Sequence, residues 1–170
     1  MENKQALEKA EELLKPFVTD IKWISDLQVD FYLDKSKLLE AITELAKINW
    51  GYVSAISGVD MPGKAAVVDQ ASGDVTTSAT PDRIEVIYTV CHSGAIANLR
   101  VYLPYDDLTV NSVCGVFPSA TLFERELIEI LGLTILETPN TDHLILPDSW
   151  PKGVYPLRKS FTGLQTPRDA

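Results

Sequence analysis

Residues 117–161 read FPSATLFERELIEILGLTILETPNTDHLILPDSWPKGVYPLRKSF, a charged amphipathic helix running into a proline-punctuated tail. The helix follows from spacing: Phe123, Leu127, Ile130 and Leu131 fall at i, i+4, i+7 and i+8, one helical face directed to a core. Ser119 is expected as the N-cap, and Gly132 as the stop beyond the last turn. Glu124, Arg125, Glu126 and Glu129 lie mostly off the apolar stripe and so read as an outward face, with Arg125 and Glu129 spaced for a helical ion pair. Beyond the helix, Pro139, Pro147, Pro151 and Pro156 each remove a backbone donor and push the preceding residue toward extended conformations, which excludes a long helix or a central strand. Trp150, Tyr155, Leu157 and Phe161 nevertheless stand among Lys152, Arg158 and Lys159, the mixture of aromatic anchors and cations found at binding surfaces. A tail with so little apolar surface of its own needs another surface to lie on, and a partner's is expected.

Working back toward the N-terminus, Arg83–Cys91 and Ala95–Leu103 alternate strongly about His92-Ser93-Gly94 and predict a β-hairpin. Tyr52–Val59 predicts a buried strand, opened by Gly51 and closed at Asp60 and the Pro62-Gly63 turn. Residues 64–81 are small and polar, which predicts a mobile loop or a short extra hairpin more than a site. Residues 36–49 place Leu38, Ile42, Leu45 and Asn49 on one helical face with Leu39 and Ala46 alongside, and residues 5–15 do the same with Leu7, Ala10, Leu13 and Leu14 before Pro16. Between these helices, Phe17–Ser25 and Leu27–Leu33 predict two strands joined tightly at Ser25-Asp26. Helices that do not alternate with strands argue against a doubly wound sheet. The expected fold is α+β: one domain over residues 1–137 with a mixed or antiparallel sheet and helices packed on one side, then an extended C-terminal tail over residues 138–170 wrapping a partner subunit.

Composition narrows the function. A chain of 170 residues, 45% hydrophobic and 23% charged, is long enough for one substantial core and ordinary for a globular protein. A net charge of −9 argues against non-specific binding to nucleic acid or direct adsorption to an anionic membrane, since both need a basic face. No apolar run approaches the roughly 20 residues that span a bilayer, and the opening MENKQALEKAEELL lacks the apolar segment of a signal peptide. With only Cys91 and Cys114, far apart, a disulfide scaffold is not expected, and the location expected is cytoplasmic.

Candidate chemistry is sparse. Cys91 and His92 are adjacent, but neighbouring residues of a strand point to opposite faces, so an activated thiol is not expected there. Cys114 and His143 show no metal-ligand spacing, two thiols are too few for an iron–sulfur cluster, and no glycine-rich nucleotide fingerprint is present. Asp60, Asp106 and Asp107 read as turn residues that bond their own backbone.

The helix motif Glu124-Arg125-Glu126 before Gly132, followed by LILPDSWPKGVYPLRKSF, resembles the thirty-kilodalton subunit family of respiratory complex I, including its relatives in energy-converting nickel–iron hydrogenases. Gly153–Phe161 is similar to that family's terminal G-x-P-L-R-K-[DS]-[FY] signature with one extra residue, VYLPYDDLTVNSVCGVFPSA resembles the segment before the helix, and WGYVSAISGVD resembles its helix-to-strand segment. The resemblance is specific over about residues 100–161. It departs from the family at Leu122, where an aromatic is common, at Ile128, where an acid is common, at Ile130-Leu131 before Gly132, and over residues 137–143; the wording of residues 150–159 is closer to the hydrogenase branch. The resemblance implies a non-catalytic peripheral-arm subunit of a membrane-associated redox complex, either an NADH:quinone oxidoreductase of the complex I type or a nickel–iron hydrogenase, in which electron transfer drives proton translocation. It implies partner-binding by Glu124, Arg125, Glu126, Trp150, Tyr155, Leu157, Arg158, Lys159 and Phe161, against a large catalytic subunit and an iron–sulfur subunit. No cofactor is expected on this chain, and iron–sulfur clusters, with nickel–iron or quinone and NADH sites, are expected in the partners. Membrane association would be indirect, at the inner face of the cell membrane. The competing expectation is a stand-alone enzyme with Cys91 or Cys114 as nucleophile.

Overall fold

Strict alternation across Arg83–His92 and Ala95–Pro104 puts every second side chain on one face, and these two strands form the centre of the sheet. The computed structural model describes residues 2–65, 67–68, 75–77 and 79–164. In chain order the elements are α1 (Glu2–Leu14), β1 (Val18–Ser25), β2 (Gln28–Leu33), a 3₁₀ turn (Lys35–Lys37), α2 (Leu38–Lys47), β3 (Tyr52–Met61), β4 (Val67–Val68), β5 (Val75–Thr77), β6 (Arg83–His92), β7 (Ala95–Pro104), β8 (Thr109–Asn111), α3 (Ala120–Leu131) and β9 (Thr134–Leu136). Five strands form one sheet in the order β1-β2-β7-β6-β3, in which β2 and β7 run parallel and the other neighbours antiparallel, so the sheet is mixed.

Both hairpins close in two residues: Ser25 pairs with Gln28 around Asp26-Leu27, and His92 with Ala95 around Ser93-Gly94, where Ser93 takes a positive φ of 53°. The described part of residues 64–81 forms a small antiparallel pair, β4 with β5, below a Lys64–Thr80 bridge. Residues 66, 69–74 and 78, on which the expectation of mobility falls, lie outside the described residues. The sequence pattern missed β8 and β9, which pair in parallel. Three residues each, joined only after a helix intervenes, are too short for periodicity to register.

The helices share one face of the sheet. That face is lined by Phe31, Ile84, Val86, Tyr88, Leu99, Val101 and Leu103, all buried, with Leu7 and Leu14 of α1, Ile42 and Leu45 of α2, and Leu127 and Leu131 of α3 closing over them. α3 approaches β3 over Gly58, where a Cβ would stand 2.2 Å from Leu131 Cδ1 and 2.9 Å from Leu127 Cδ2. The opposite face carries a polar ladder along register partners. Thr89 Oγ1 donates to Asn98 Oδ1 at 2.9 Å, Asn98 Nδ2 to Asp30 Oδ1 at 2.8 Å, and Arg100 bridges Asp30 and Glu85 at 2.9 and 2.8 Å.

The start of α3 differs from expectation. Ser119 already has helical dihedrals and makes no side-chain cap; the first turn is instead set at Pro118, whose carbonyl accepts from Thr121 Oγ1 at 2.9 Å. Proline's fixed φ suits the first turn of a helix, so the chain already turns helically at Pro118 and Ser119 follows it with helical dihedrals.

Tyr88 is fully buried, and its hydroxyl has no hydrogen-bond partner among the described residues. Burial pushes the phenol far up, so it stays neutral. Tyr88→Phe therefore removes an unsatisfied polar atom and is expected to leave stability unchanged or raise it by about 1 kcal/mol. Gly58→Val, which drives methyl groups into Leu127 and Leu131, is expected to cost about 1–3 kcal/mol. Urea denaturation of the two variants checks both, and a loss above about 1 kcal/mol for Tyr88→Phe contradicts the first.

Candidate functional site: the strap over helix α3

Helix α3 is the surface on which the tail lies. From residue 138 to 164 the described chain contains no helix or strand, only a series of turns such as Trp150 N to Pro147 O at 2.8 Å and Phe161 N to Arg158 O at 3.0 Å. Three anchors hold this strap to its own domain.

The first is Glu129. Its carboxylate accepts from the successive backbone amides of Leu144, Ile145 and Leu146 at 2.5, 2.6 and 2.6 Å. Burial alone would push this carboxyl up, but the three amides outweigh it and, with His143 beside them, hold it below its ordinary value. The second is Arg125, which donates from Nε to Asp142 O at 2.8 Å and from Nη2 to His143 O at 2.6 Å. The expected Arg125–Glu129 ion pair is not made, because both side chains turn to the strap's backbone.

The third anchor closes the C-terminal end of α3, where the last carbonyls of any helix lack partners. Leu157 N donates to Ile130 O at 3.1 Å and Arg158 Nε to Leu131 O at 2.6 Å. Gly132 takes the left-handed conformation, φ 73°, that ends the helix as expected, and the Tyr155 ring lies so close that a Cβ there would be 2.5 Å from it. Asp60, buried on β3, accepts from Lys159 N at 2.6 Å and from the Tyr105 hydroxyl, and Arg158 Nη1 stands 3.9 Å from it. The Arg158 guanidinium lies 4.9 Å from the centre of the Tyr105 ring.

Several expectations about these residues need correction. Glu124 is fully buried and faces its own domain: it accepts from Val113 N at 2.8 Å and from Ser112 Oγ at 2.8 and 3.1 Å. It therefore cannot meet a partner. The buried residues of α3 are Ala120, Glu124, Leu127, Glu129, Ile130 and Leu131, and Phe123 is only half-buried. Tyr155 and Arg158 are spent mainly on the end of α3. Asp60 is no turn residue but a tether for the strap. Trp150 and Phe161 pack on each other, ring centres 6.3 Å apart, with Trp150 Nε1 donating to Val154 O at 2.8 Å. Glu126 remains half-buried at the rim without an ion-pair partner among the described residues, and the Lys159 side chain is exposed.

Sequence reasoning missed Glu129, Asp60 and Tyr105. For Asp60 a signal existed, since Ile56, Gly58 and Asp60 share one phase of β3 and a lone acid on the core phase needs donors. For Glu129 none did, because its donors are amides fifteen to seventeen residues away.

The strap's large side chains are another matter. Leu144, Ile145, Leu157 and Leu164 are 40%, 60%, 55% and 48% exposed, although the backbone beneath the first three is pinned to α3. The thiols are quiet by comparison. Cys114 is buried, burial pushes its thiol up, and the Glu124 carboxylate, to whose Oε2 it donates at 3.2 Å, pushes it further the same way and keeps it a neutral thiol. Cys91 donates to Ser54 Oγ at 3.2 Å, while the His92 ring stacks on Trp50 at 5.5 Å. Among the described residues no three His, Cys, Asp or Glu side chains are grouped to hold a metal ion, and no helix is long and apolar enough to cross a membrane.

The described residues form a mixed-sheet α+β domain that displays an apolar strap on helix α3. The chain belongs to the respiratory-chain NADH dehydrogenase 30 Kd subunit family, whose model matches residues 31–167. It is 28% identical over 142 residues to a subunit of the F(420)H(2) dehydrogenase of Methanosarcina mazei, covering 82% of this chain and 78% of that one. It is 38% identical over 71 residues to the beta subunit of the membrane-bound hydrogenase of Pyrococcus furiosus, covering 42% and 41%, and 31% identical over 128 residues to a subunit of the NAD(P)H-quinone oxidoreductase of Prochlorococcus marinus, covering 74% and 66%. Among solved structures, its fold is similar to the trypsin-resistant fragment of Nqo5, with a TM-score of 0.57 at 20% identity, covering 82% and 99%. It is also similar to a chain of the membrane-bound sulfane sulfur reductase, an archaeal respiratory membrane complex, with a TM-score of 0.63 at 18% identity, covering 95% and 86%.

A carboxylate held below its ordinary value stabilises the fold above the unfolded value of about 4.5 and loses that contribution as pH falls through the folded one. The amide chemical shifts of Leu144, Ile145 and Leu146 are therefore expected to titrate together below about pH 4.5, as Glu129 protonates and the strap lifts. Glu129→Gln should abolish that titration and cost about 1–3 kcal/mol at neutral pH. Amide shifts that ignore pH down to global unfolding would contradict the anchor.

Proposed function

We propose that this chain is a non-catalytic, peripheral-arm subunit of a membrane-associated redox complex of the complex I or energy-converting hydrogenase type, and that it positions the cofactor-bearing large subunit. The observation that carries this reading is the strap: its backbone is satisfied within the chain while Leu144, Ile145 and Leu157 face outward. Ordering a segment before binding removes part of the entropy cost of association. The outward leucines and isoleucine then serve as anchors, with Lys159 and Glu126 as polar flanks.

The relatives support the same reading. Their names differ in electron donor, from F(420)H(2) to NAD(P)H to hydrogen metabolism, yet each possesses a subunit like this one. A component common to complexes with different donors fits a role in architecture better than one in selecting the donor. On this reading the iron–sulfur, nickel–iron or quinone sites belong to the neighbouring subunits, including a large catalytic and an iron–sulfur subunit. The chain reaches the inner, cytoplasmic face of the membrane through them, and any proton translocation is the work of the assembly.

The test uses the outward side chains and spares those that hold the strap. Ile145→Asp with Leu157→Asp should leave the melting temperature of the isolated chain within about 2 °C, because both side chains are already solvated. Recovery of larger subunits with the tagged chain from solubilised membranes should fall more than tenfold, since buried apolar anchors are worth roughly 2 kcal/mol or more each. Undiminished recovery would place the interface away from the strap.

A further inference from the structure

β3 is an outer strand of the five-stranded sheet. Its inner side pairs with β6 from Tyr52↔Cys91 to Met61↔Arg83, and its outer side has no backbone partner among the described residues. Exposed sheet edges are usually blunted by lysine or proline, because unpaired amides and carbonyls accept a further strand. Residues 52–61, YVSAISGVDM, contain neither, their one acid, Asp60, is buried under the strap, and the pairing with β6 shifts register between Val53 and Ala55, so the regular open edge begins at Ala55. Beside this edge lies a groove of about 320 Å³, between β3 residues 55–58 and Phe123, Glu126, Leu127 and Ile130 of α3, with Leu157 of the strap at its end. At Gly58 the missing side chain lets Leu127 and Leu131 of α3 close onto β3.

We infer that this edge receives an extended segment of a neighbouring subunit, added as a sixth strand, with apolar side chains in the groove and a basic residue at Glu126. The inference rests on the subunit reading above. Main-chain pairing to β3 would supply affinity, and the groove would take alternate side chains of the incoming strand, the usual division of labour in strand addition. The groove floor is apolar at Phe123, Leu127 and Ile130, which sets one phase of that strand. Glu126 sits at the lip, half-buried and without an ion-pair partner among the described residues, so a lysine or arginine is the complement it lacks. A second copy of this chain is a poorer occupant. Two-fold pairing of the edge with itself would bring both copies' Glu126 to one interface, in a chain whose net charge is −9. The surface is continuous with the strap through Leu157, so one partner can engage both.

The test compares amide hydrogen exchange, resolved residue by residue, in the free full-length chain and in the complex recovered with the tagged chain from its own membranes. In the free chain, the outward amides of Ala55–Gly58 should exchange fast, and in the complex those same amides should slow at least tenfold. Glu126→Lys should leave melting of the free chain unchanged and reduce recovery of the complex at least tenfold. A complex that retains the chain but leaves those amides as fast as before overturns the edge inference and spares the subunit reading. A wild-type chain that recovers no larger subunit overturns both. Protection that already develops in the free chain as its concentration rises assigns the edge to a second copy and overturns the inference.

Discussion

The two buried carboxylates of α3 hold its surroundings in place, and each answers a different set of backbone donors. Glu124 reaches inward to Ser112 and the Val113 amide and so fixes the segment that leads into the helix. Glu129 reaches out to three amides of the strap. Remove either and several donors are left buried without an acceptor, a penalty that falls on every group at once. At its far end α3 offers carbonyls that no helix can satisfy internally, and Leu157 and Arg158 take two of them. One short helix thereby joins the loop before it, the sheet beneath it and the chain after it.

This arrangement explains how a segment with several prolines and little apolar burial can be ordered at all. Three of its amides go to a carboxylate, two of its carbonyls to Arg125, and Arg158 to the end of a helix, so its ties to α3 are largely polar. Apolar side chains are then left over for another surface. The two demands usually compete in a loop, since a buried leucine normally drags its backbone inward with it. Here the backbone faces in and the side chains face out.

The sheet divides its faces in the same spirit. The helix-covered face is apolar, interrupted by the Tyr88 hydroxyl and Asp60, whereas the opposite face keeps Asp30, Asn98, Thr89, Arg100 and Glu85 in a single bonded ladder. Such a ladder gives each residue a polar neighbour on the face opposite the helices. It also explains why Asp30 and Glu85 read as ordinary outward strand residues from alternation and yet are buried, since each is enclosed by its cross-strand neighbours.

Alternation and helical spacing by themselves determined the five strands of the main sheet, the three helices, the Gly132 stop and the α+β class, because each rests on short-range periods that burial of one face imposes. The motif around Glu124–Glu126 and the P-L-R-K turn marked the family for the same local reason. What only the tertiary structure decided is where the polar side chains go. Glu124, Glu129, Arg125 and Asp60 look like surface charge in a linear pattern, and their partners lie from 10 to 99 residues away along the chain. Periodicity measures apolar burial and is blind to whether distant amides will meet a carboxylate. Helix α3 therefore appeared to offer its acids to a partner, when packing had already committed two of them to the chain itself.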